Sequence, residues 1–575
     1  MFSLTKTILL SSFKISSKEI FLIFLLFFGV MILELLGLSL IMPLLTILID
    51  PSSLTNFSNI FEHFKIDTSN NSNIALSLLV FFLIVIFLRY VLAIFLELFL
   101  VKYIRKIETD LLKKVVDYQF DKSWKETIQI QNKKFVKTMI SDVGVYVQVG
   151  ILSILNVIKS LFILLLLFSF LVFQKGFFVL LVGVVIFSFF YLFVKISSKK
   201  FHKVSEFYSD TLETRYEFIN QLVMGYKEMK IYQLYDQFIK KYMNNEFFFT
   251  RTEVLRKLGT ILPKNTIEFL IIFSLIIFAI FNLNNFGDSV PFLGLVGFIL
   301  FRSQPLLIQI GSMIATIQLH KEQLILIQNT LDHILNKKEE TKVDKKPNFF
   351  DKNNPEKIEF INVDFSYNKE TAIFKNLSLK FEKNFIYGIQ GSNGSGKSTF
   401  NDLLIGLHEP VKGIIKVNNI DLKDVSQNWT KNVSYLSQSY FIFNDNIKNN
   451  ITLDFSKKKN IDKNFYNDCI KKTGMEEFLK TLPEGDNMQV VDFGKNLSGG
   501  QKQKIAFSRL LYKNSKVIIL DEAMSAIDYE SRKKINDLLI SIKKDKIIII
   551  ISHHNDDLKI CDKIYKINNH QLEEI

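Results

Sequence analysis

Only two cysteines, Cys469 and Cys561, occur in the 575 residues, and both lie in the C-terminal half. The N-terminal half can therefore hold no disulfide framework, and a reducing compartment suits the remainder. The first apolar stretch, about thirty residues long, lacks a small-residue cleavage site and so reads as a membrane helix, not a removed signal peptide. Basic residues are nearly missing from two connections: 50–73 and 282–289 hold only Lys65 between them.

What is present is segregated. Hydrophobic residues make up 48% and charged residues 22% of the chain. Repeated apolar runs fill 1–310, whereas 336–575 reads as an ordinary charged globular domain. A net charge of +14 could signal a nucleic-acid partner. Much of the excess instead falls in loops that a membrane topology places inside the cell, so no nucleic acid is expected.

Runs long enough to cross a bilayer, about 20 residues each, fall near 20–49, 74–101, 151–174, 176–196, 261–283 and 288–310. They predict six transmembrane helices. The segment 102–137 is basic (Lys102, Arg105, Lys106, Lys113, Lys114, Lys133, Lys134, Lys137), as is 195–258. Positive-inside bias then puts both termini in the cytoplasm. These basic connections carry helix-favouring sequence, such as Phe207–Leu222, and would project beyond the membrane as coupling helices with tips near 128–135 and 216–225. In the outer connection, Leu54, Phe57, Phe61 and Phe64 recur at helical spacing. They form an amphipathic helix that lies in an interface or packs on neighbouring spans.

After a polar linker (336–356) the pattern changes. An apolar run over Asn384–Gln390 leads into Gly391, Ser392, Asn393, Gly394, Ser395, Gly396, Lys397, Ser398 and Thr399, and then into an apolar helix. That is a phosphate loop in its strand–loop–helix context. Glycines let backbone amides turn onto phosphate oxygens, and the helix N-terminus adds its positive end. Lys397 supplies charge for the β- and γ-phosphates, and Ser398 a hydroxyl for Mg²⁺. The buried run Val517–Leu520 ends in Asp521 and Glu522, one carboxylate to hold Mg²⁺ and the next to polarise the attacking water. A second run, Ile547–Ile551, ends in Ser552 and His553, bringing an imidazole near the γ-phosphate.

Leu497, Ser498, Gly499, Gly500 and Gln501 resemble the signature motif of the ABC ATPases, and Asp492 with Gly494 resembles the loop that precedes it. The resemblance implies a multidomain chain: an α-helical exporter-type transmembrane domain (1–335) and an α/β phosphate-loop ATPase domain (357–575). It also implies that Tyr367 stacks on adenine, that Gln438 senses Mg²⁺, and that Asp528, in Ser525–Asp528, belongs to a dimer-contact loop. Departures are Ile527 for Leu, Met524 for Thr, and His554 for Arg. ATP and Mg²⁺ would sit between two ATPase domains, the phosphate loop of one facing Ser498 and Gly500 of the other. One copy per chain with Glu522 and His553 intact implies a homodimer with two competent sites; a heterodimer is the alternative.

Ionisable residues within spans are functional candidates. Arg89 and Arg302 lie about fourteen to fifteen residues from the outer ends of their spans, roughly 21–23 Å deep at 1.5 Å per residue. Lys264, after Pro263, falls in the same inner half. Three such cations could hold a pyrophosphate. Alternatively they snorkel to headgroups, or pair with Glu34, Glu97 and, for Lys264, Glu268.

The first span from Leu33 to Pro43, the Leu88–Arg89 region, Pro263–Lys264 with Glu268, and Phe301–Arg302 resemble the bacterial lipid-linked oligosaccharide flippases of protein N-glycosylation. That likeness is patchy. It implies a homodimer in the bacterial cytoplasmic membrane that moves a polyprenyl-pyrophosphate-linked glycan outward, with Arg89, Lys264 and Arg302 as its pyrophosphate ligands. Position 264 carries Lys where that family has Arg, which keeps the charge but loses the bidentate fork. The alternatives are an exporter of a peptide, lipid or drug, and an ATP-gated regulator that does not pump. No peptidase-like sequence precedes residue 20, against processed-peptide export, and intact Glu522 and His553 speak against the regulator.

Overall fold

The protein is described here from a computed structural model covering residues 17–49, 71–122, 132–175, 214–281, 286–340, 354–368, 371–456, 461–524, 529–568 and 570–575, with a few isolated positions besides. The chain divides into two units: Met1–Lys122 with Ile128–Lys342, and Ser123–Thr127 with Val343–Ile575.

The first unit is helical: α1 (Ser17–Ile49), α2 (Asn71–Phe120), α3 (132–175), α4 (Tyr235–Phe281), α5 (Phe286–Leu319) and α6 (Lys321–Glu340). Among the described residues, Ser17–Ile41, Leu76–Phe120, Phe135–Phe173 and Gly294–Leu319 are long and apolar enough to cross a membrane. The expected span 176–196 and the helix expected at 50–73 lie outside the described residues. The span 261–283 falls largely on α4, whose backbone is described to Phe281.

With 50 residues in α2 and 47 in α4, these helices run about 70–75 Å, more than twice the hydrocarbon thickness. Their basic halves therefore extend past the apolar layer. Of the two expected coupling tips, 216–224 is helical, whereas 128–131 lies outside the described residues. Leu96, Leu100, Ile104, Ile107 and Leu111 on α2 recur at three- and four-residue spacing and bury against Val147, Ile151 and Leu155 of α3.

Turns of π-helix at Thr138–Asp142 and Tyr146–Leu152 interrupt α3 where polar groups enter this packing. Buried Asp142 accepts from Gln323 Nε2 at 2.9 Å, and Tyr146 donates to Gln328 Oε1 at 2.6 Å. Such pairs meet the hydrogen-bonding need of groups shut off from water. Helix α6 continues to Glu340, into the stretch expected as linker. Lys337, Lys338, Glu339 and Glu340 are good helix formers, so the first residues of that stretch are helical.

The second unit holds two sheets. One is antiparallel, ordered β2 (Thr371–Glu382), β1 (Lys357–Asn368), β4 (Lys412–Val417), β5 (Ile420–Asp421). The other is ordered β10 (Gln571–Glu574), β9 (Lys563–Asn568), β3 (Phe385–Gln390), β8 (Ile547–Ile551), β7 (Val517–Asp521), β6 (Val433–Leu436). In it β9, β3, β8, β7 and β6 are parallel. A strand covered on both faces must be apolar throughout, because alternation would bury polar groups. The five isoleucines of β8, all buried, meet that condition between β3 and β7.

Candidate functional site

Parallel strands deliver their following loops to one edge, and an open α/β sheet binds ligands there. Adjacent strands β3, β8, β7 and β6 end respectively at Gln390, Ile551, Asp521 and Leu436. The sheet order thereby gathers the phosphate loop, Asp521–Glu522, His553 and Gln438 from separate parts of the chain.

The loop after β3 turns through Gly394 and Gly396, at φ +80° and +103°, conformations that L side chains rarely adopt. Gly396 stands directly before α7 (Lys397–Ile405), whose N-terminal amides follow the loop. Lys397 folds back, its Nζ 2.9 Å from Gly391 O and 3.1 Å from Glu522 Oε1.

Glu522 is the hub. Gln438 Nε2 donates to its Oε2 at 2.9 Å, and His553 Nδ1 lies 3.3 Å from its Oε1. Its backbone takes a positive φ of 49° and its N–H donates to Ile551 O, which fixes the carboxylate between β7 and β8. Burial pushes its pKa up, but the hydrogen bonds and charges of Lys397 and His553 prevail and hold it below the ordinary value. Asp521 goes the other way. Burial raises its pKa, with the charge of Glu522 adding, against hydrogen bonds from Tyr435 and Asn401.

Tyr367, on β1, sits edge-on to Phe365 and His408, with its hydroxyl 3.2 Å from Thr399 Oγ1. Leu497 is buried with Ile442, Ile447 and Ile505, whereas Ser498, Gly499 and Gly500 are exposed. Ser498 and Gln501 form a reciprocal capping box at the start of α8 (Gly499–Lys513). Beyond the helix's own backbone and chain neighbours, nothing comes within 4 Å of where a Cβ on Gly499 or Gly500 would stand. This turn is capped, open and rich in backbone amides. Asp528 and its neighbours 525–527 lie outside the described residues.

Supporting residues appear that no motif had pointed to. Tyr435 donates to Asp521 Oδ2 at 3.0 Å. Ser552 donates to buried Asp557 at 2.6 Å, and its Oγ accepts from His554 N at 3.0 Å, fixing the loop that carries His553. Ser552 is legible as the residue that ends an apolar run, whereas nothing in the sequence marks Tyr435 or Asp557. Asp402, on α7, has a pKa pushed up to about 6, by burial first and by the charge of Asp521, with a hydrogen bond from Trp124 opposing.

Because that value is raised, ionising Asp402 costs the folded state stability. The cost is absent below the ordinary carboxylate range and complete above about pH 6. Asp402→Asn is expected to raise the thermal midpoint of the full chain at pH 8 and leave it nearly unchanged at pH 4. An equal shift at both pH values would rule this account out.

In the helical unit, Arg89 and Arg302 both meet Glu34. Arg302 places Nε 2.5 Å from Glu34 Oε1 and Nη2 3.3 Å from Oε2, and Arg89 Nε pairs with Oε2. Glu97 pairs with Lys159 at 2.9 Å. The side chain of Lys264 lies outside the described residues, so its relation to the two arginines is not part of this geometry.

Residues 374–525 match the family model "ABC transporter". A Haemophilus influenzae protein named "Probable ABC transporter ATP-binding/permease protein" is 34% identical over 217 residues, 38% of this chain and 39% of that protein. The Arabidopsis thaliana protein "ABC transporter B family member 14" is 34% identical over 220 residues, 38% of this chain and 17% of its own. The chain thus spans about two fifths or less of the length of these curated relatives. The structure of a bacterial Atm1-family ABC exporter with ATP bound superposes with a TM-score of 0.77 at 18% identity, covering 95% of this chain and 94% of that one. The chain therefore has the fold of an Atm1-type ABC exporter, with a helical membrane unit and an ABC transporter ATP-binding domain.

Proposed function

We propose that this chain is an ATP-driven exporter that works as a homodimer in the bacterial cytoplasmic membrane, with both termini in the cytoplasm. Its cargo is a polyprenyl-pyrophosphate-linked oligosaccharide moved from the inner to the outer leaflet. The observation that carries the cargo reading is the meeting of Arg89 and Arg302 on one buried carboxylate in the membrane unit. Two guanidiniums at one place form an anion-binding arrangement, and Lys264 is the proposed third cation.

The ATPase reading rests on the Glu522 hub. Lys397 moves from Glu522 to the β- and γ-phosphates of ATP, freeing the carboxylate to orient the attacking water and accept its proton. His553 donates toward the γ-phosphate. Tyr367 stacks on adenine. Ser398, Asp521 and Gln438 offer the hard oxygen donors that Mg²⁺ takes, and burial of the Asp521 carboxyl favours a cation beside it. When bound, Mg²⁺ would neutralise charge building on the phosphates.

The open turn at Ser498–Gly500, with Leu497 as its anchor and Gln501 closing the cap, is suited to meet the γ-phosphate held by a second copy, and Asp528 contributes to the dimer contact. Segments near 128–135 and 216–225 couple the two units as part of the same proposal.

The test is ATP turnover of the purified protein in nanodiscs with and without a polyprenyl-pyrophosphate oligosaccharide. The glycolipid is expected to stimulate wild type several-fold, and Arg302→Ala to remove that increment. Loss of one charge-assisted contact is expected to weaken apparent glycolipid binding by about 2 kcal/mol. Absence of stimulation in wild type would overturn the cargo reading and redirect it to a peptide, lipid or drug.

A further inference from the structure

A buried carboxylate needs one cation to be neutral; Glu34 has two. Its side chain is 6% exposed, against 16% for Arg89 and 29% for Arg302. The three residues come from three helices, α1, α2 and α5. Glu34 lies one turn before Leu38, and Arg302 one turn after Ile299, both members of an apolar cluster with Ile163, Leu167 and Leu295. Two guanidiniums against one carboxylate leave one positive charge at the edge of that cluster, where charge is costly to keep.

We infer that Glu34 is a resident counterion, standing in for the anionic group of the cargo, and that an arriving pyrophosphate displaces it from Arg89 and Arg302. The inference rests on the anionic-cargo reading above. The charge balance favours displacement over simple addition. A pyrophosphate diester carries two negative charges and a monoester such as farnesyl pyrophosphate carries more, so adding either to the intact triad leaves a surplus of negative charge. Replacing Glu34 leaves two cations facing two anionic charges.

Exposure supports the same order of events. The incoming anion meets the more accessible arginines, and the carboxylate it must dislodge lies behind them. Glu34 keeps both guanidiniums aimed at one point. It also makes the site selective, since an uncharged lipid has nothing with which to displace a carboxylate. Glu34 is thus a specificity-determining residue that weakens binding of every anion and excludes those that carry too little charge.

The experiment is equilibrium binding of radiolabelled farnesyl pyrophosphate to the full chain in nanodiscs, with farnesol as the uncharged control. Glu34→Gln is expected to tighten farnesyl pyrophosphate binding about tenfold, within the range seen when competition at a close charge pair is removed. Farnesol binding should not change. The gain should vanish when Glu34→Gln is combined with Arg89→Ala and Arg302→Ala.

Glu34→Asp, which keeps the charge but is too short to hold both guanidiniums, should give a smaller gain and decides the matter if Glu34→Gln does not fold. Unchanged or weaker binding in these variants, or a gain that survives loss of both arginines, overturns the inference. Tightening in Glu34→Gln with no glycolipid stimulation of wild type would leave the counterion in place and sink the glycan reading. Stimulation without tightening would do the reverse.

Discussion

Glu522→Gln is expected to lower ATP turnover by about a thousandfold, in the range that loss of a general base produces. Gln438, Lys397 and His553 all lie within 3.3 Å of the Glu522 carboxylate. Its depressed pKa keeps it ionised at neutral pH, ready to take a proton from water. Glutamine preserves the volume but cannot accept that proton. Its NH₂ group would also face donors where the carboxylate now presents acceptors. Lys397 would lose an ion-pair partner yet remain able to hold phosphate, so the variant should bind ATP and retain it.

Phosphate release measured beside nucleotide retention checks both halves of this expectation. A fall of less than about tenfold, set against the usual general-base contribution, would move the base elsewhere. His553→Ala would then be the next variant.

Gly396→Ala should weaken nucleotide binding for a different reason. The backbone there has φ +103°, and an added Cβ would stand 2.9 Å from Ile373 Cγ2 and 3.1 Å from Phe374 Cζ. Both strain and collision result. A disallowed backbone conformation costs about 1–3 kcal/mol, and overpacking a dense core adds about 1–3 kcal/mol. Phe374 cannot retreat easily, because it is fully buried against Phe400 of α7.

The loop is therefore expected to shift, turning its amides away from the phosphates and weakening ATP affinity at least about a hundredfold, the equivalent of about 2.7 kcal/mol. A fluorescent ATP analogue titrated against both proteins measures this. Affinity within threefold of wild type would mean that the loop adapts and that the geometry around Gly396 is not required.

Several of these features could be read from residues alone because they depend on short-range chemistry. Gly391–Thr399 has its glycines where the chain must turn tightly, and the isoleucines of β8 exclude any exposed strand. The apolar length of α1, α2 and α5 calls for a bilayer or a buried core. Polar supports were hidden. Tyr435 looks like any aromatic on a strand until β6 is laid beside β7, which brings its hydroxyl to Asp521. Asp557 reads as a surface acid near the C-terminus. It is buried at 1% exposure, where Ser552 donates to it at 2.6 Å and Arg532 Nε lies 3.4 Å away.

The membrane residues show the same limit more sharply. By sequence, Arg89, Arg302 and Glu34 were three costly charges with several possible partners, since hydropathy gives depth along a helix but not the direction in which its side chains face. The arrangement of α1, α2 and α5 decided that both arginines share Glu34. The residues by themselves determined where the chain is apolar, where it binds phosphate and where its strands must be buried, because those properties are local in the chain. The tertiary structure alone decided which charges meet, because an ion pair between residues 55 or more positions apart is set by helix packing and not by any pattern in the sequence.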